Sequence, residues 1–121
     1  MQIPLQITIR DMERSDALDT VLREHAAKLE QFHPRITRCR VTVEQLRRHH
    51  QQGHHFAVKI ELRIPGREIV ASRDHDEDVY IALRDAFDSA RRQLEEAARE
   101  QRGDVKLHAP ARRVGAGGNS S

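Results

Sequence analysis

A chain of 121 residues with 33% charged side chains, 3% aromatics and no Trp has room for one domain and a tail, with a core packed from aliphatic side chains. Its single cysteine, Cys39, excludes an internal disulfide and a cysteine-based zinc site. No apolar run reaches signal-peptide or membrane length, and a formal net charge of +2 is too small to imply nucleic acid by itself, so the expectation is a soluble, cytoplasmic protein without a membrane partner.

Ile3, Leu5, Ile7 and Ile9 alternate with polar residues, and period two reads as a strand with one buried face. Pro4 cannot donate to a ladder and should mark an edge or a bulge. Ser15 is a good N-cap for a helix carrying Leu18, Val21, Leu22, His25, Ala26, Leu29 and Phe32 on one side. His33-Pro34 ends it, because a residue before proline is pushed out of the α region. His25 reads as a histidine at the edge of the core.

Cys39, Val41 and Val43 mark a second strand, and Phe56, Val58, Ile60, Leu62 and Ile64 a third. The polar run Arg47 to His55 between them suits a long hairpin tip. Pro65-Gly66 is a turn leading into a short fourth strand near Glu68 to Ser72. Its inward pair is open: Ile69/Ala71 or Val70/Ser72.

Asp74, Asp76, Glu77 and Asp78 then crowd the expected start of a second helix, where carboxylates oppose the positive end of the helix dipole. Val79, Leu83, Ala86, Phe87, Ala90, Leu94 and Ala97 form its apolar stripe, and the absence of Pro or Gly before Gly103 allows about six turns. Tyr80 reads as a half-buried packing residue. The expected division is a domain over residues 1–102 and a disordered tail over 103–121, rich in Gly, Ala, Pro and Ser.

The resulting order is βαβββα. One apolar sheet face and one stripe on each helix predict an α+β, two-layer sandwich, a four-stranded sheet with both helices on one side. Charge is polarised along the chain. Nine Arg/Lys face three acids between Arg35 and Arg73, whereas residues 76–102 hold eight acids and five arginines. A basic central segment is what a polyanion partner uses.

This order, with these residues, resembles the ribosome hibernation-promoting family, whose members are also described as ribosome-associated inhibitors or ribosomal subunit interface proteins. One carrier is Leu5 to Phe32, an alternating strand, the link Arg10-Asp11-Met12, and a helix with Leu18, Lys28, Leu29 and Phe32. The other runs from Pro65-Gly66 to Leu94. It includes Ile69-Val70-Ala71-Ser72, the run Glu77-Asp78-Val79-Tyr80-Ile81-Ala82-Leu83, and Arg92-Gln93-Leu94. The family pattern there is similar to Glu-Asp-hydrophobic-Tyr-x-Ala-Ile, although Ser89 stands where the family commonly has Lys. The resemblance covers roughly residues 1–100 and implies a fold like a double-stranded-RNA-binding domain. It also implies binding to 16S rRNA of the small ribosomal subunit, in the channel of messenger and transfer RNA, and so a translation inhibitor acting by steric occlusion. Longer members carry an added C-terminal domain that pairs ribosomes; these 121 residues do not include one, so the expectation is a short form.

The candidate rRNA contacts are Arg38, Arg40, Lys59 and Arg63 on the sheet, Arg84, Arg91 and Arg92 on helix two, and Arg23 and Lys28 on helix one. Basic side chains on a rigid platform suit recognition of A-form RNA by shape and backbone. His49, His50, His54 and His55 flank a Gly-containing tip and are the one candidate metal set, with a flexible polar tip as the default reading. No phosphate-cradling glycine motif, nucleophile elbow or His-Glu-x-x-His occurs, so no enzyme, cofactor or small-molecule substrate is expected. The alternative is a homodimeric protein-interaction or metal-sensing regulatory module, using the exposed sheet and the histidine-rich hairpin.

Overall fold

The computed structural model describes residues 4–46 and 55–101, apart from the side chains of His75 and Asp76. The elements are β1 (Leu5–Arg10), α1 (Asp16–Phe32), β2 (Arg38–Leu46), β3 (His55–Ile64), β4 (Arg67–Asp76) and α2 (Val79–Arg99). The expected tail, 103–121, and most of the expected hairpin tip, 47–54, lie outside the described residues. Residues 1–91 form one compact unit and 92–121 a second, with the boundary inside α2. In the second, Leu94 and Ala97 are buried and Arg92 and Arg99 exposed.

The sheet order is β1-β2-β3-β4. β1 runs parallel to β2, because α1 carries the chain back between them; the other two pairings are antiparallel. Pro4 precedes β1, and its carbonyl accepts from the Cys39 N–H at 3.2 Å, so the strand begins without needing a donor there. Cys39, Val41 and Val43 of β2, Val58, Ile60, Leu62 and Ile64 of β3, and Ile69 and Ala71 of β4 are all buried. The open choice on β4 therefore resolves to Ile69/Ala71 inward, with Val70 48% exposed.

The helices cover that face. Leu18, Leu22, Ala26 and Leu29 of α1 are buried, as are Ala82, Leu83, Ala86, Phe87 and Ala90 of α2. The alanines at 82, 86 and 90 recur every fourth residue and so share the buried face of α2 with Leu83 and Phe87. The two-layer βαβββα architecture is the expected one.

Boundaries differ at β4. It runs to Asp76, so Asp74 and Asp76 belong to a strand and not to a helix start. The first turn of α2 holds no acid; Asp78 alone caps it, its Oδ1 accepting from the Tyr80 N–H at 2.9 Å. An extra residue of β4 between Arg73 and Asp76 forms a bulge against Phe56 and Val58. The bulge lets the strand continue through a polar run that a helical reading assigns to a cap. Tyr80 is 43% exposed, in keeping with the half-buried residue expected. Gly66, with φ of 81°, occupies the turn position that only glycine takes without strain.

Candidate nucleic-acid interface

Period-two geometry sends every second residue of the strands to the face without helices. Arg38, Arg40, Lys59 and Arg63 meet there, as expected. The same geometry brings Glu44, Glu61 and Glu68 to the same face. Register then decides which charges touch. Arg38 lies opposite Arg63, and Arg63 opposite Glu68; Glu68 Oε2 is 2.7 Å from Arg38 Nη2 and 3.1 Å from Arg63 Nη1. One carboxylate thus holds two arginines. In the next row Arg40 faces Glu61 at 4.0 Å. The row after it, Thr8, Thr42, Lys59 and Ser72, contains a single charge. Lys59 is exposed and makes no ion pair among the described residues. It lines a shallow depression of about 230 Å³ whose other charged residues are Arg10, Arg73, Glu44 and Asp74.

The helix cations divide differently. Arg23 bonds Asp19 at 2.9 Å, and Arg14 bonds the other oxygen of that carboxylate at 2.8 Å. Hydrogen bonds from Arg23 and then Arg14 hold the Asp19 carboxyl below its usual range. Arg84 bonds Asp85 at 3.2 Å. Lys28 and Arg91 instead border a cleft of about 140 Å³ between α1 and α2, with His25, Phe32, Phe87 and Asp88. Arg92 is exposed and belongs to the second unit. The candidate cations therefore do not form one continuous patch in the first unit: four share the open sheet face, two share the cleft, and Arg23 and Arg84 are each tied to an aspartate.

The aromatic side of the cleft has no counterpart in the sequence reading. His25 stacks on Phe87 with ring centroids 4.8 Å apart and 12° between planes. Burial, then the nearby Lys28 charge, push its pKa below the ordinary value, against weaker opposing effects of Asp88 and Glu24. Arg91 lies over the Phe32 ring at 5.0 Å. Phe32 is 40% exposed although it falls on the apolar side of α1, of which it is the last residue. The only signal in the sequence is that two Phe and one His fall on facing stripes. Which residues of two stripes meet is set by the helix crossing.

Of the expected metal set, His49, His50 and His54 lie outside the described residues; His55 opens β3 opposite Leu46. Among the described residues no group of three or more His, Cys, Asp or Glu side chains could hold a metal ion. No helix among them is long and apolar enough to cross a membrane.

Residues 5–102 match the family described as Sigma 54 modulation protein / S30EA ribosomal protein. The chain belongs to this family. The S30EA-type chain is 30% identical over 96 residues to a ribosome hibernation promotion factor of Deinococcus radiodurans, a match covering 78% of this chain and 48% of the relative. It thus spans about half the length of that relative. Its fold resembles a ribosomal subunit interface protein from Coxiella burnetii, with a TM-score of 0.67 and 16% identity over 78% of this chain and 96% of the other. It also resembles the N-terminal domain of Protein Y from Thermus thermophilus, with a TM-score of 0.63 and 21% identity over 80% and 99% of the two chains. At those identities the two structures establish the fold of the S30EA-type chain.

Proposed function

We propose that this protein is a ribosome-associated translation inhibitor of the hibernation type, which binds small-subunit rRNA in the mRNA/tRNA channel and blocks it by steric occlusion. Residues 1–102 act as the ribosome-binding domain. The protein works in the cytoplasm and performs no turnover. The observation that carries this reading is the family match over residues 5–102, which spans both layers of the fold. The name of the Deinococcus relative agrees with it.

The geometry supplies a means. A rigid α/β platform presents arginines and a lysine at fixed spacing, and phosphates attract them with release of counterions. Of the candidate cations of the first unit, Lys59, Lys28 and Arg91 form no ion pair with another described residue, whereas Arg38, Arg40, Arg63, Arg23 and Arg84 do.

Sedimentation of the purified chain with small ribosomal subunits through sucrose tests the reading. Co-migration is expected at low salt and should fall steeply as salt rises. Charge reversal at Lys59 and Arg40 should weaken it if the sheet is the contact face, and reversal at Lys28 and Arg91 if the helices are. A chain that stays at the top of the gradient at every salt concentration is not a small-subunit ligand.

A further inference from the structure

The chain has three phenylalanines, and two of them, Phe32 and Phe87, line the cleft between α1 and α2. In a protein with 3% aromatics this is a concentration of flat surface at one place. His25 stacks on Phe87, which is 4% exposed, and the Arg91 guanidinium lies over Phe32, so a base entering the cleft meets Arg91, His25 and the 40%-exposed Phe32 rather than Phe87. Lys28 and Arg91 bring positive charge to the same cleft, and Asp88 brings one carboxylate. Flat π-surface beside cations is the composition of a site for a nucleotide lifted out of its stack, since aromatic rings and guanidinium planes accept base faces while cations accept the phosphate.

We propose that this cleft receives a single unstacked guanine nucleotide, the base lying against Phe32 and Arg91, Asp88 accepting from its Watson–Crick edge, and Lys28 meeting its phosphate. The choice of base follows from Asp88. An ionised carboxylate only accepts, through two oxygens side by side. Guanine offers two neighbouring donors on that edge, N1–H and the N2 amine. Adenine and cytosine set one amine beside an acceptor, and uracil sets one N–H between two carbonyls. Stacking alone does not discriminate among bases. Burial and the Lys28 charge disfavour the protonated form of His25, against Asp88 and Glu24, so the cations of the cleft are Lys28 and Arg91. The source of the base rests on the ribosome reading: a looped-out rRNA nucleotide and a free guanosine nucleotide share this chemistry.

The test uses the full chain and NMR of the His25 and Phe87 ring resonances. The probes are the pentaribonucleotides UUGUU, UUAUU and UUCUU, guanosine 5′-monophosphate, and an Asp/Glu-rich peptide. UUGUU should shift the rings at concentrations about tenfold lower than UUAUU or UUCUU, the scale of one bidentate base contact. Asp88→Asn should abolish that preference, and Phe32→Ala should weaken all three strands by about tenfold or more. Both positions are exposed, so neither change threatens the fold. Ring shifts with the monophosphate as strong as with UUGUU support the site with a free nucleotide as ligand; shifts with the strand alone support RNA. Equal response to all three strands, silence with every probe, or a response to the acidic peptide only overturns the proposal, the last in favour of a protein partner. Sedimentation separates it from the ribosome reading. Co-migration with silent rings sinks the cleft alone, and guanine-dependent ring shifts without co-migration sink the ribosome reading alone.

Discussion

Cys39 is 1% exposed, on the inward side of β2 between Leu5 and Leu62. Burial pushes its thiol up to about 12, so the nucleophilic thiolate is scarce at any physiological pH. The folded chain should therefore take up no iodoacetamide at pH 8, and the urea-unfolded chain should be fully alkylated; intact mass measures both. His25 behaves in the opposite sense. Its folded pKa lies below the ordinary 6.5, so between the two values the unfolded chain binds the extra proton. Its contribution to stability is present above pH 6.5 and is lost as pH falls through the folded pKa. Urea midpoints should drop between pH 7.5 and pH 5.5, and His25→Phe, which keeps a ring against Phe87, should flatten that drop. An unchanged slope in the variant would assign the pH dependence to other groups.

At the scale of elements, α1 is held at its start by Ser15, whose Oγ accepts from the Leu18 N–H at 3.1 Å. The hydroxyl satisfies one of the unpaired N–H groups of the first turn, and Ser15→Ala should cost about 1 kcal/mol in urea unfolding with no change in the m-value. The matching feature of α2 is Asp78, and here the sequence misleads. Four acids in five residues look like one helix start. Yet a strand running through Asp74 and Asp76 satisfies its backbone by pairing with β3, and the bulge absorbs the odd residue. Ladder hydrogen bonds, which are non-local, outweighed a local dipole preference. Pro65-Gly66 went the other way. Its chemistry is local, and the turn between β3 and β4 is where the dipeptide places it.

For the whole molecule, charge along the chain and charge on a surface are different quantities. Nine Arg/Lys against three acids between Arg35 and Arg73 suggests a strongly positive face. In the folded sheet all three acids stand among four of those cations, and Glu68 alone engages Arg38 and Arg63. Such exposed pairs add little stability, about 0–1 kcal/mol, but they hold arginines away from other anions. Glu68→Gln should leave the unfolding midpoint nearly unchanged and raise the salt concentration at which the chain leaves a heparin column. Elution at the unaltered salt concentration would show that these arginines are not restrained by the pair.

By itself the sequence determined the order of elements, the buried face of each and the turn that joins β3 to β4. Those follow from side-chain periods of 2 and 3.6 and from the backbone chemistry of Pro and Gly, all of which act within a few residues. Even the one ambiguous facing, on β4, was narrowed to two choices. Tertiary structure alone decided which charges neutralise each other and which rings meet. Glu68 lies 30 residues from Arg38, and Phe87 lies on the other helix from His25. Their contacts depend on strand register and helix crossing, which arise only when the whole core closes.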